Sequence, residues 1–264
     1  MSESASSLVR VEVSDGIAEI ILDDPKRRNA MTPELGDAFS EAVARVQGDA
    51  SVRAVVVSGA GEAFSAGGDL KMLQRLRAAQ FDEARDFMRS FYARYLAVTE
   101  LEVPTVAAVR GAAIGAGLCV ALACDLCVVD ANAKLALNFV QLGLHPGMGA
   151  TYLVPRRAGA QRAAELLLTG RRFDGREAVA MGLALDAVTP EEVNSRARSL
   201  AKQVAVNAPL AVRALKRELG VDREALERCL AQEAHHQAES YGSQDLDEGL
   251  AAAAERRPPV FKGR

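Results

Sequence analysis

The chain has no excess of charge. Over 264 residues, 32 Lys and Arg stand against 35 Asp and Glu, for a net charge of −3. That balance excludes a strongly basic nucleic-acid binder and offers a membrane surface no electrostatic attraction. Glycine (21) and proline (9) are too sparse for a collagenous or low-complexity chain. No run of about 18 apolar residues is present to span a bilayer. The nearest, 111–122, is short and glycine-rich. The opening Met1-Ser-Glu-Ser-Ala-Ser-Ser is polar, reads as a frayed tail and lacks the apolar centre of a secretion signal. Cysteine is scarce as well. Cys124 and Cys127 form a C-x-x-C with no second pair and no histidine beside them, whereas a zinc site wants four ligands. The expectation is a cytoplasmic protein without disulfides or metal, whose Cys119, Cys124, Cys127 and Cys229 serve as small buried hydrophobes.

What the chain does contain is patterned: 49% of it is hydrophobic, and its length suits one domain or at most two. Two apolar-rich runs flank Asp15-Gly16, a strong hairpin signal. Thr32-Pro33-Glu34 opens a helix with a Thr N-cap, a Pro in the first turn and an acid behind it. Leu35, Phe39, Val43 and Val46 then keep helical spacing. Residues 52–57, 104–109 and 126–129 read as buried strands, each followed by a loop and a helix, so the first 130 residues predict an α/β architecture with largely parallel pairing. From Met148 onward helices dominate, over 160–168, 176–181, 190–206, 210–219, 223–240 and 246–256, with a strand at 185–188. The proposed division is a core over 1–195 and a helical region over 196–264.

Two glycine-rich loops stand between a strand and a helix: Ala63-Phe-Ser-Ala-Gly-Gly-Asp-Leu70 and Gly111-Ala-Ala-Ile-Gly-Ala-Gly-Leu118. Small residues there let a ligand reach backbone N–H groups beside a helix N-terminus. Two such groups aimed at one oxygen make an oxyanion hole. Tight turns and phosphate loops remain alternatives, although Val120 breaks the G-x-G-x-x-G pattern and no P-loop Lys follows.

The motifs Phe64-Ser-Ala-Gly-Gly-Asp-Leu70, Pro104-Thr-Val-Ala-Ala-Val-Arg-Gly-Ala-Ala-Ile-Gly-Ala-Gly117, Ala123-Cys-Asp125 and Leu142-Gly-Leu-His-Pro-Gly-Met-Gly-Ala-Thr151 resemble the enoyl-CoA hydratase/isomerase (crotonase) superfamily, in its order and over essentially the whole chain. The resemblance implies a crotonase-like spiral of ββα units with a helical C-terminal trimerisation region, assembled as a homotrimer or dimer of trimers. It implies an acyl-CoA thioester as substrate, with coenzyme A as part of that substrate and no bound cofactor. The matching oxyanion-hole positions are Gly68 and Ala116. Those matching the coenzyme A and substrate contacts are Lys26, Arg28, Ala66, Asp69, Leu70, Phe139 and Gly147, together with Phe261 and Lys262, which reach the coenzyme A of a neighbouring subunit.

The departures from the family are informative. Its hydratases use two glutamates to activate water, and the matching positions here are Cys119 and Phe139. Neither residue does that work: a buried thiol stays neutral and Phe has no proton to give. His145 is the leading substitute acid or base, because imidazole titrates near neutral pH and related isomerases place an acid in the same loop. Tyr92 and Tyr95 are further pocket candidates, Gln141 is a candidate for a polar acyl group, and His235, His236 and Tyr241 read as a solvated face. Ordinary hydration is therefore doubtful. The alternatives are decarboxylation of a malonyl- or glutaconyl-type thioester carried by CoA or a carrier protein, and a non-catalytic CoA- or RNA-binding fold. For RNA, the basic run Lys71–Arg77 is short and offset by Asp82, Glu83 and Asp86.

Overall fold

Asp15 and Gly16 both take positive φ (55° and 74°) and turn β1 (Val9–Ser14) back antiparallel on β2 (Ile17–Leu22). The coordinates are those of a computed structural model and describe residues 8–264; the polar run read as a frayed tail lies outside them. The Thr32 side chain accepts the Leu35 N–H (3.2 Å) and opens α1 (Pro33–Gln47), which buries Leu35, Phe39, Val43 and Val46 as their spacing predicts.

The chain then runs through β3 (Ala54–Gly59), β4 (Ala63–Ser65), α2 (Leu70–Arg77), α3 (Phe81–Leu96), β5 (Thr105–Val109), β6 (Ala112–Ile114), α4 (Ala116–Ala123), β7 (Leu126–Asp130) and β8 (Lys134–Ala136). Beyond these lie α5 (Ala150–Thr169), β9 (Arg172–Phe173), α6 (Gly175–Ala180), β10 (Asp186–Val188), α7 (Val193–Ala205), α8 (Pro209–Leu219), α9 (Arg223–Tyr241) and α10 (Gln244–Glu255). One sheet has the order β1-β2-β3-β5-β7-β10 and is parallel beyond its first pair. A second, smaller sheet has the order β4-β6-β8-β9. After the β1–β2 hairpin, which lies wholly in the large sheet, the pairs β3/β4, β5/β6 and β7/β8 each send their first strand to the large sheet and their second to the small one, which is the ββα spiral the resemblance implies.

Both faces of the inner strands β3, β5 and β7 are buried, which is why they read as continuous apolar runs, whereas the edge strand β1 is largely exposed. Val55, Val57 and Ala107 face the main core beneath α1, while Ala54, Val56 and Val106 face Val193, Ala197 and Ala201 of α7. Helix α9 packs along α3 and adds Leu226, Leu230, Ala234 and Ala238 to the same main core. Helix α8 buries none of its residues and leaves Leu210, Leu215 and Leu219 exposed.

Three expectations need correction. The two glycine-rich loops are not loops throughout: β4 and β6 lie inside them, too short to carry an alternation. The helix expected over 160–168 starts at Ala150 and breaks at Gly159 (φ 75°, ψ 164°), so Pro155 and Gly159 hid its first half. Cys119, Cys124 and Cys127 are buried as expected, but Cys229 is only partly so. Among the described residues, no helix is long and apolar enough to cross a membrane.

Candidate active site

The two glycine-rich segments meet. The Met31 N–H donates to the Gly67 carbonyl (2.8 Å) and the Asp69 N–H donates to the Met31 carbonyl (3.1 Å). In this parallel bridge the Gly68 N–H is turned to the other side, and it has no hydrogen-bond acceptor among the described residues. Gly67 (φ 85°) lies directly on the second segment: a Cβ there would stand 2.4 Å from the Ile114 carbonyl oxygen and 3.9 Å from the Ala116 nitrogen, so only glycine permits the approach. Ala116 is the first residue of α4, and its N–H likewise has no acceptor among the described residues. Two N–H groups without acceptors thus lie on adjoining segments, the second at a helix N-terminus that favours negative charge.

Both line a cavity of about 500 Å³. Its buried wall is apolar and includes Met72, Leu73, Met88, Phe91, Leu144 and Met148. Its charged lining residues, Arg27, Asp69 and Lys71, stand at the more exposed end. Asp69 caps α2 by accepting the Met72 N–H (3.0 Å) and pairs with Arg27 (2.8 Å). It is the single carboxylate lining the cavity among the described residues. At the inner end the Tyr92 hydroxyl donates to Gln237 Oε1 (2.9 Å), and Gln237 Nε2 donates to the His145 carbonyl (2.8 Å). Burial holds the Tyr92 phenol well above its ordinary value, so its proton stays on.

The expected site residues divide into two groups. Gly68, Ala116, Ala66, Asp69, Leu70 and Phe139 all line this cavity. The Phe139 ring lies against Gly115, 3.7 Å from where a Cβ would stand, and fills the wall beside Ala116. Lys26 and Arg28 are exposed and outside the lining; Arg27 occupies it, while the Arg28 carbonyl accepts the Ala66 N–H (2.9 Å). Cys119 is buried behind the wall, its thiol near the Gly147 carbonyl (3.7 Å) and pushed well up by burial and by the Glu233 charge. Gly147 packs so tightly on Tyr92 that a Cβ would stand 2.5 Å from the hydroxyl oxygen.

His145 and Phe261 line a separate groove of about 820 Å³. His145 Nδ1 is 2.7 Å from the Pro146 carbonyl oxygen, and burial lowers the imidazole's pKa. The Lys262 backbone N–H donates to Asp245 Oδ1 (2.7 Å), which docks the tail on α10. Tyr95 is tied to the Thr32 carbonyl (2.6 Å) in the core, and Gln141 donates to the Thr169 carbonyl (3.0 Å). His235 and His236 are exposed as expected, but Tyr241 is buried and lines the cavity, which corrects the solvated reading.

Sequence reasoning missed Arg27, Gln237 and Glu233. For the last two a signal existed: positions 233, 237 and 241 fall on the same stripe of α9 as Leu226, Leu230 and Ala234. Glu233 accepts the N–H groups of Gly149 (2.7 Å) and Thr151 (2.8 Å) and so holds the N-terminus of α5. Burial nonetheless raises it above its ordinary 4.5. The folded chain therefore keeps this proton to higher pH than the unfolded chain, and the group's contribution is complete below about pH 4.5 and lost as pH rises through the folded value. Glu233→Gln turns an N–H toward those donors and is expected to lower stability by about 1–3 kcal/mol. Thermal unfolding of both proteins across pH checks it: the gap between them should narrow as pH rises.

The sequence matches the protein family described as Enoyl-CoA hydratase/isomerase over residues 12–264. A Thermus thermophilus protein bearing the name enoyl-CoA hydratase is 38% identical over 253 residues, covering 95% of this chain and 100% of its own. Carnitinyl-CoA dehydratase of Proteus mirabilis is 36% identical, covering 98% and 100%. The solved structure of Pseudomonas aeruginosa OdaA superposes with a TM-score of 0.84 at 35% identity, covering 94% of this chain and 99% of that one.

Proposed function

The chain belongs to the enoyl-CoA hydratase/isomerase family, and from that premise we propose that it holds an acyl-CoA carbonyl between the Gly68 and Ala116 N–H groups and stabilises the thioester enolate there. The observation that carries this reading is the pair of N–H groups without protein acceptors on the wall of an apolar cavity. Donors of this kind gain strength where water is excluded. Arg27 at the cavity mouth, with Lys26 and Arg28 exposed beside it, suits the anionic end of coenzyme A, and Ala66 and Leu70 lie along its path. Phe261 and Lys262 would serve a neighbouring subunit. Assembly as a homotrimer or dimer of trimers, supported by the exposed apolar side of α8, is part of this reading, and light scattering measures it. So is the division near residue 195.

The finer reaction follows from what the cavity offers. Asp69 is already engaged by its cap and by Arg27, and Cys119 and Phe139 occupy the acid–base positions. Water activation thus lacks a base. Decarboxylation of a malonyl- or glutaconyl-type thioester needs none: the bond to the carboxylate breaks, its electron pair passes to the enolate, and CO₂ leaves. The α-carbon or its vinylogous position then takes a proton; our candidate donor is the Tyr92 hydroxyl, which gives its hydrogen to Gln237 Oε1 at rest, would turn it to the far more basic carbanion, and would regain a proton from solvent after product leaves. In this reading His145 positions Gln237 through its carbonyl.

The test is a screen of short enoyl, 3-hydroxyacyl and malonyl-type thioesters with products read by mass spectrometry. The expected result is CO₂ loss from a malonyl-type substrate, with kcat about 10²-fold lower in Tyr92→Phe and KM little changed. Rapid enoyl hydration with malonyl-type thioesters untouched would overturn it. No turnover on any of them, with tight CoA or salt-sensitive RNA binding, would favour the non-catalytic reading.

A further inference from the structure

The chain has three histidines, at positions 145, 235 and 236, and the fold brings all three together outside the cavity. His235 and His236 are neighbours on α9, with ring centroids 5.5 Å apart. Glu239, one turn further, reaches both: its carboxylate lies 3.5 Å from His235 Nε2 and 3.0 Å from His236 Nδ1. His145 comes from the segment before α5, and its ring centroid is 4.9 Å from that of His236. We propose that His235, His236 and Glu239, joined by His145, form a binding site for a divalent transition ion of the zinc class.

Four features support this. First, one ligand atom from each of His235, His236 and Glu239 lies within 4.8 Å of the other two. Tetrahedral zinc with bonds of 2.0–2.1 Å sets its ligand atoms roughly 3.3 Å apart, a value bracketed by the two observed imidazole–carboxylate separations. Second, the donor set of imidazoles with one carboxylate suits zinc-class ions and does not suit magnesium or calcium. Third, a carbonyl oxygen only accepts, so His145 Nδ1 carries the proton donated to Pro146 and the Nε2 lone pair is left for a metal. Metal-binding histidines are commonly oriented by that type of contact. Fourth, the His235 ring and the backbone at His145 are already held in place. The Phe81 ring packs edge-on against His235 with centroids 5.1 Å apart, and the His145 backbone N–H donates to Ser240 Oγ (3.1 Å).

An ion here would tie α9 to the segment before α5. The His145 carbonyl accepts from Gln237, so the same tie would steady the Gln237–Tyr92 pair inside the cavity. The inference does not depend on which reaction the cavity performs.

The experiment uses untagged, chelator-treated full-length protein titrated with ZnCl₂ by calorimetry, with MgCl₂ as the contrast. One Zn²⁺ per chain is expected, with a chelator-reversible rise in Tm and no Mg²⁺ binding. His236→Ala and Glu239→Gln should each weaken Zn²⁺ binding at least about tenfold, and His145→Gln should do so as well. These side chains are exposed or partly so, and far-UV circular dichroism confirms that each variant is folded. Absent Zn²⁺ binding, equal Mg²⁺ binding, or unchanged affinity in His236→Ala would overturn the site. Unchanged affinity in His145→Gln alone would overturn its place as the fourth ligand.

Discussion

An Ala116→Pro protein is expected to fold and to lose about 10²–10³-fold in kcat, equivalent to about 2.7–4 kcal/mol of transition-state stabilisation. Proline removes one thing that matters here, the N–H. At the first position of a helix that group has no intrahelical partner, and the fixed φ of proline suits the position. Ala116 begins α4, and no acceptor for its N–H lies among the described residues, so no structural hydrogen bond is lost. The residue also borders the cavity, which leaves room for the ring. A far-UV spectrum and Tm close to wild type, combined with the drop in kcat on the true substrate, would identify the N–H as a catalytic donor. Unchanged kcat would place the carbonyl elsewhere. Gly68→Pro removes the companion donor and should act in the same direction, with more disturbance to the bridge with Met31.

The second large effect concerns hydration of crotonyl-CoA, which should be weak or undetectable in the wild-type protein. A well-placed general acid or base supplies about 10²–10⁴-fold, and two such positions are empty of titratable carboxylates. The buried Cys119 thiol cannot stand in, because burial holds its proton on. Phe139→Glu places a carboxylate in the cavity wall beside Gly115 and Ala116. Hydration is expected to rise by about 10²-fold in that variant, against some loss of Tm from the missing ring. Steady-state kinetics on crotonyl-CoA decide between the outcomes. A wild-type kcat in the range of about hundreds per second, high among enzymes, would remove the argument from the missing glutamates.

The inner strands of the large sheet were legible because they are buried on both faces and therefore read as apolar runs rich in β-branched residues. Thr32 and Asp15-Gly16 announced a helix start and a hairpin through local chemistry alone. The small sheet was not legible. A three-residue strand such as Ala112–Ile114 has no period to detect, and its pairing partners lie more than twenty residues away. The site followed the same rule. Gly68 and Ala116 present backbone N–H groups from recognisable glycine-rich motifs. The residues opposite them depend on how α9 docks against α3, a long-range contact without a local signal beyond the position of Gln237 and Tyr241 on an apolar stripe. His145 shows the limit from the other side. Its place in a family motif suggested chemistry, but the side chain turns into the neighbouring groove and only its carbonyl reaches toward the cavity through Gln237.

Half of the chain's six methionines, Met72, Met88 and Met148, are spent on the wall of one cavity. An unbranched thioether has three soft torsions and reshapes at little cost, unlike the branched side chains that fill the sheet. The cavity is therefore malleable along its thioether wall and fixed along the backbone of Gly68 and Ala116; on the reading proposed above, that is where hydrocarbon and thioester would lie. Discrimination among substrates should fall on where their charge and hydrogen-bonding groups lie, while the length and branching of the carbon skeleton are tolerated. The same softness carries a chemical exposure: an oxidant small enough to enter would convert these thioethers to sulfoxides and make the chamber polar from within.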